Sequence, residues 1–190
     1  ELVRRLGIAR RRYVYVYAAD PRWLELMYPL LIAAGARRVP CSVFHFDAAI
    51  WTSRHTNWRT RIPGDCTVVP LDARLADYPT VVTLWGSVTH FLAHGFGYVV
   101  LVNGARVTKA QTVFLGNGRA EIGLDTLPAY QRRGYARLAA CACIEHALAA
   151  GLTPEWGAFE NPPSVALAVD LGFVPEPDWP TLYLQGHGEG

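Results

Sequence analysis

Arg119-Ala-Glu-Ile-Gly-Leu-Asp-Thr126, then Leu127-Pro-Ala-Tyr130, then Gln131-Arg-Arg-Gly-Tyr-Ala136 opening an apolar run to Ala150: the reading of this stretch decides the fold. The first segment reads as a strand and the second as a short loop. The last reads as a long helix that ends at the C-cap glycine Gly151. Gln131-x-x-Gly134-x-Ala136 therefore stands directly between a strand and a helix. The first N–H groups of a helix have no partner inside it, and the helix dipole places partial positive charge there. A glycine at this point lets the backbone approach an anion closely and takes the dihedrals that a nest of N–H groups needs. The spacing reads as a phosphate cradle, with Arg132 and Arg133 as counter-charges.

Working outward, Asn103-Gly104 between Tyr98–Val102 and Arg106–Leu115 predicts a β-hairpin, and Gly116-Asn-Gly118 predicts the turn into Arg119. Cys66–Leu71 reads as a strand, and Asp72 as the cap of a helix through Leu75 and Tyr78. Val81–Ala93 reads as one helix with Leu84, Trp85, Val88 and Leu92 on one side. Downstream, Thr153–Phe159 reads as a single strand, Ser164–Leu171 as a helix with Pro163 in its first turn, and Thr181–Leu184 as a closing strand before a frayed tail. The first third has its own α/β pattern: a strand at Tyr13–Ala19, a cap at Asp20, and a helix Arg22–Ala34 stopped by Gly35. The helix carries Trp23, Leu24, Met27, Leu30 and Leu31 at helical spacing. A strand Val39–Phe46 follows, where Pro40 favours an edge or a strand start, and Trp51–Pro63 reads as irregular.

A chain of 190 residues, 51% hydrophobic and 18% charged, can bury a real core. Its apolar runs are all interrupted well short of the ~18 residues of a membrane span. No signal peptide is visible, although the chain starts at Glu1 without a methionine. Cys41, Cys66, Cys141 and Cys143 form no C-x-x-C pair, which favours free thiols in a reducing cytoplasm. All the basic residues except Lys109 are arginines, and they are unevenly placed: residues 1–62 carry net +7 and the remainder net −5. A basic first third suits an anionic partner such as an acyl carrier protein, RNA or the phosphates of a nucleotide cofactor, or else is a solvated arginine face. Nucleic acid is disfavoured, because the basic stretch lacks aromatic interleaving. His90 and His94 are four apart on a predicted helix, but a third metal ligand at motif spacing is missing.

At the Gln131–Ala136 loop the chain resembles the GNAT superfamily of acyl-CoA-dependent acetyltransferases. The loop matches Q/R-x-x-G-x-G/A and is followed by Asn161-x-x-Ser164 and Leu171-Gly-Phe173. The likeness covers roughly Cys66 to Leu184 and is closest to a subgroup with a Trp-x4-Asn-x2-Ser signature, here Trp156, Asn161 and Ser164. The resemblance implies an α/β chain of the α+β, mixed-sheet kind. Residues 65–190 would form the GNAT domain, and 1–64 an additional N-terminal α/β segment, on the acceptor side or as a degenerate half-unit. It implies acetyl-coenzyme A as donor, with main-chain groups from Ile122 through Leu124 to Thr126 pairing with the pantetheine arm. Gln131 and the N–H groups of Arg132, Arg133, Gly134, Tyr135 and Ala136 would hold the pyrophosphate.

Glu121, Gly123 and Asp125 share one face of the strand by its period of two. Some GNAT enzymes carry a glutamate at the first of these positions that deprotonates the acceptor amine through water. Glu121 is thus the candidate general base, or else a solvated or salt-bridged carboxylate; Asp125 is the second choice, or else orders the loop, and a bulge in this strand would change which residues share a face. The family's usual acid is a tyrosine at the position held here by Ala168, so the chain departs from the pattern there. Asn161 and Ser164 suit the pantetheine or an ordered water, and equally helix capping; Ser164 is the remaining candidate near the leaving thiolate. The resemblance points to acetyl transfer onto a small-molecule amine. Two alternatives stay open: chemistry on acyl-CoA or an acyl carrier protein, and acyl-CoA binding without turnover. A homodimer is also left open.

Overall fold

The computed structural model describes residues 13–17, 21–76, 78–159 and 161–185. In chain order its elements are β1 (Tyr13–Tyr17), α1 (Pro21–Ala33), β2 (Arg37–Phe46), α2 (Ala48–His55), β3 (Cys66–Pro70), α3 (Tyr78–Trp85), α4 (Val88–His94), β4 (Gly97–Val102) and β5 (Ala105–Gly116). They continue with β6 (Arg119–Thr126), α5 (Tyr135–Ala149), β7 (Thr153–Glu155), β8 (Gly157–Phe159), α6 (Pro162–Asp170), β9 (Phe173–Pro175) and β10 (Trp179–Gln185). Short 3-10 turns occupy Trp58–Arg61 and Pro128–Tyr130. The expected cap at Asp20, the arginines before Tyr13 and the tail after Gln185 lie outside the described residues.

The chain divides into two compact units. One comprises Glu1–Val43, Gly157–Val165 and Pro175–Gly190, the other Phe44–Trp156 and Ala166–Val174. In the first unit the strands run β1-β10-β2-β8, so the N-terminal strand pairs with the C-terminal one in antiparallel register, Tyr13 opposite Gln185. Its core gathers Leu31, Ala36, Leu182 and Leu184, with Val14, Val16, Met27 and Tyr28 around them. Of the apolar positions read on α1, Leu31 is buried and Met27 partly so, while Trp23 and Leu30 are exposed. Arg37 and Arg38 lie over the rings of Tyr183 and Tyr28, at 4.8 and 4.4 Å, so part of the basic first third is spent on aromatic faces. Pro40 is not at a strand start: it lies inside β2 and stands opposite Pro180 of β10, while the pairing with β8 covers only Cys41–Val43. Both missing donors thereby fall at one step of the ladder.

The second unit holds the sheet β3-β4-β5-β6-β7, antiparallel except for the parallel pair β6–β7. Both hairpin turns take positive φ at their two central residues, Asn103 and Gly104, then Asn117 and Gly118, which type I′ turns require and Asn-Gly supplies cheaply. α5 lies against β4, β5 and β6. It is buried almost all round, from Leu138 to Ile144 without a break, so small residues (Ala139, Ala140, Cys141, Ala142, Cys143) line it. Its end is a Schellman motif: Gly151 N–H donates to Leu148 O and Leu152 N–H to Ala147 O, with Gly151 at φ +72°. A second cluster, Leu71, Ala76, Val81, Phe91 and Val99, packs α3 and α4 with β4. Phe91 has no exposed surface, and truncating it to alanine would cost about 3–5 kcal/mol.

Five sequence expectations change. Val81–Ala93 is not one helix: Gly86 at φ +76° ends α3, and the Ser87 hydroxyl caps α4 by accepting from His90 N–H at 3.1 Å. The buried residues there are Val81 and Phe91, whereas Leu84 and Leu92 are exposed. Asp72 caps only a turn, accepting from the N–H groups of Arg74 and Leu75 at 2.9 and 3.0 Å; the helix starts at Tyr78. Trp51–Pro63 is largely ordered as α2 and a 3-10 turn. Asp47 caps α2, and Trp51, His55 and Trp58 are buried at i, i+4 and i+7 among polar neighbours that mask the period. Thr153–Phe159 is two strands in different sheets, β7 beside β6 and β8 beside β2, separated by Trp156. Phe173–Pro175 adds a short strand, β9, that the sequence reading lacks.

Candidate active site

β6 is central because it changes character along its length. On one side it is paired with β5 from Arg119 to Thr126. On the other it pairs with β7 only over Arg119–Glu121, and among the described residues no strand pairs with the edge from Ile122 to Thr126. An open stretch of main-chain donors and acceptors inside a sheet is suited to an extended ligand that carries amides.

The open edge leads straight into the predicted cradle. Gln131 Nε2 donates to Thr126 O at 3.2 Å, which ties the loop back to the strand end. Arg132 and Gly134 both adopt positive φ, +63° and +85°. For arginine that conformation is uncommon and costs free energy. Gly134 is the N-cap residue of α5 and has no side chain to cap it, and its O accepts from Leu138 N–H at 3.3 Å. Among the described residues the N–H groups of Arg132, Arg133, Gly134 and Tyr135 donate to no main-chain carbonyl. A Cβ built on Gly134 would meet nothing within 4 Å, so open space lies over this glycine. The Arg133 guanidinium sits 5.5 Å from the Tyr130 ring, a fixed positive charge beside the turn. The turn has the donors, the room and the charge for a diphosphate.

The bulge allowed for in β6 lies in β5 instead. The register steps from Thr112–Ile122 to Phe114–Glu121, which leaves Val113 extra. β6 keeps its alternation, so Glu121, Gly123 and Asp125 do share a face. Gly123 has a packing reason: a Cβ there would lie 2.5 Å from Val113 Cγ1. Burial raises the Glu121 carboxyl above the usual range, and the nearby Glu155 charge adds to this. Glu155 is directly opposite Glu121 on β7 and is ion-paired with Arg119. Asp125 is opposite Lys109, which is buried.

Sequence reading missed Gln111. It stands between Gly97 and Gly123 across three strands, on the face of Glu121 and Asp125. It is 2% exposed, and among the described residues neither atom of its carboxamide has a hydrogen-bond partner. The available signal was a polar side chain within the long apolar-rich strand β5, between two glycines that only pairing brings beside it. Trp85 Nε1–H donates to Thr112 O at 2.9 Å, next to the bulge.

Asn161 and Ser164 belong to the first unit, where the Asn161 carboxamide accepts from Ser164 N–H at 3.3 Å at the start of α6. Ala168 is fully buried. All four cysteines are buried free thiols. Burial pushes Cys141 up to about 12, and it raises Cys143 and Cys66 as well, which keeps all three protonated. Among the described residues no helix is long and apolar enough to cross a membrane.

Comparison with known proteins gives the chain's family and fold. A family model described as GNAT acetyltransferase matches residues 36–182. An uncharacterised N-acetyltransferase of Bacillus subtilis (strain 168), YdfB, is 36% identical over 103 residues, 54% of this chain but only 39% of that protein. The chain thus matches about two-fifths of that relative's length. A GCN5-related N-acetyltransferase-like protein from Streptococcus suis 89/1591 superposes with TM-score 0.69 at 24% identity, over 90% of this chain and 70% of that one. A GNAT-family protein from Novosphingobium aromaticivorans DSM 12444 gives 0.59 at 19% identity, over 92% and 73%.

Proposed function

We propose that this chain, which belongs to the GNAT acetyltransferase family, moves an acetyl group from acetyl-coenzyme A to a small-molecule amine by direct attack. The observation that carries the reading is one continuous surface: the unpaired edge of β6 from Ile122 to Thr126, running into the donor-rich turn Gln131–Ala136. Coenzyme A fits the residues present, because its amide-bearing arm suits a strand edge and its diphosphate suits unpartnered N–H groups beside Arg132 and Arg133. When bound it supplies the activated thioester carbon.

On this reading main-chain groups from Ile122 to Thr126 orient the pantetheine arm, and those of Arg132 to Ala136 hold the diphosphate. Glu121 accepts the proton of the attacking amine through a water. A carboxyl raised by burial is the stronger base for that task. Asp125, opposite a buried lysine, is the weaker candidate. Gln111 offers the acceptor a donor and an acceptor on the same face, and pairing them would relieve a buried amide that otherwise costs about 1–3 kcal/mol. At Ala168 there is no side chain to protonate the leaving thiolate. The test is release of free thiol from acetyl-coenzyme A in the presence of a panel of primary amines. Amine-dependent release is expected. Tight coenzyme binding with no release from any amine would overturn amine acetylation, and adding an acyl carrier protein to the panel then separates carrier-protein chemistry from binding without turnover.

A further inference from the structure

A cavity of about 200 Å³ lies along the flank of α5 that carries Gly134, Arg137 and Leu138. It shares Arg133 and Gly134 with the diphosphate turn, and its far wall is built by His55, Trp58 and Arg61. These residues belong to one compact unit. The wall chemistry is one-sided. Trp58 is 4% exposed, and among the described residues its indole N–H has no acceptor. An indole N–H can only donate, so the group that satisfies it must accept. The ring is held in place by Arg59, whose guanidinium lies 4.6 Å from it and is paired through both terminal nitrogens with the Glu145 carboxylate, at 2.6 and 2.5 Å.

The charges can be counted. Arg137 is already matched by Asp170, with Nε donating to Oδ2 at 2.7 Å. His55 Nε2 donates to the Asp170 main-chain O at 2.8 Å; a carbonyl only accepts, so in neutral His55 the proton sits on Nε2. Its Nδ1 is then left facing the Cys141 thiol at 3.8 Å. Arg61 donates one N–H to Arg54 O at 3.2 Å, which fixes its guanidinium while leaving other donors. Two arginine charges, Arg61 and Arg133, therefore have no matching carboxylate among the described residues that line the cavity.

We propose that this cavity is a phosphate-monoester site, distinct from the diphosphate turn it adjoins. A phosphate monoester takes the charge of Arg61, shares Arg133 with the diphosphate turn, and provides the acceptor that Trp58 lacks. Two sources share this chemistry. One is the ribose 3′-phosphate of coenzyme A, which rests on the proposed function; the other is free phosphate, which does not.

The experiment is titration calorimetry of the full chain with coenzyme A, 3′-dephospho-coenzyme A and inorganic phosphate, for wild type, Trp58→Phe and Arg61→Gln. Arg61 is exposed, so its variant folds even if Trp58→Phe does not. If the coenzyme supplies the phosphate, wild type binds coenzyme A about tenfold tighter than the dephospho form, and both variants bring the ratio toward one without weakening the dephospho form. If free phosphate is the ligand, the two nucleotides bind alike, while inorganic phosphate binds wild type and weakens about tenfold in each variant. Equal nucleotide affinities, together with phosphate binding that is absent or indifferent to both substitutions, overturn the assignment. Failure of both nucleotides to bind removes the proposed function, and the phosphate arm then decides the site by itself.

Discussion

The two halves of β6 are a natural experiment within one strand. Arg119–Glu121 is paired on both edges, while Ile122–Thr126 is paired only with β5 among the described residues. Each half carries one carboxylate, Glu121 and Asp125, and one small residue, Ala120 and Gly123, so neither feature sets the pairing. The difference is made by the neighbour: β7 stops at Glu155, Trp156 follows, and β8 pairs in another sheet. The closed half therefore contributes structure, and the open half offers its backbone to a ligand. Glu121 lies at the boundary, buried enough for a raised carboxyl and adjacent to the open edge.

The largest effect is expected at that boundary. Glu121→Gln should lower kcat by roughly a hundredfold while coenzyme affinity, measured by calorimetry, stays within about twofold. An unchanged kcat would return Glu121 to a purely structural role. Next in size is Gly134→Val. A side chain at φ +85° costs about 1–3 kcal/mol, so coenzyme affinity should fall roughly ten- to hundredfold. That strain is borne by the free protein as well, so melting temperature should fall with it, and the part specific to the site is the side chain standing in the open space over the turn.

A smaller effect sharpens the contrast directly. Adding coenzyme A should slow amide hydrogen exchange several-fold in Ile122–Thr126 and Arg132–Ala136, leaving Arg119–Glu121 unchanged. Uniform slowing along β6 would mean that the two halves do not differ in the way described. The smallest is Glu155→Gln. Removing the charge that helps to raise the Glu121 carboxyl favours ionised Glu121, so the rising limb of the pH–rate profile should move to lower pH. In stability the sign is opposite to the usual carboxylate. The fold favours neutral Glu121, so its contribution is complete below the ordinary glutamate range and is lost as pH rises through the raised value.

How far this was legible in the residues depends on range. The I′ turns at Asn103-Gly104 and Asn117-Gly118, the strand Arg119–Thr126 and the Gly134 entry to α5 could all be read, because each depends on a few adjacent dihedrals. The split of α3 from α4 was also local, in Gly86-Ser87, but the apolar spacing on either side outweighed it. Gln111 was beyond reach. Its burial between two glycines follows from the register of β4, β5 and β6, which no window of sequence contains. The Trp58 cavity has the same origin, since its walls come from segments about seventy residues apart.

The residues alone determined where the backbone bends and which turn carries free amide donors, since steric limits on φ and the unpartnered N–H groups of a helix start act within a few positions. Only the tertiary structure decided which strand edge stays open, which carboxyl is dried and raised, and which indole is left without an acceptor. Those depend on what lies across the sheet, and pairing and burial are properties of distant neighbours.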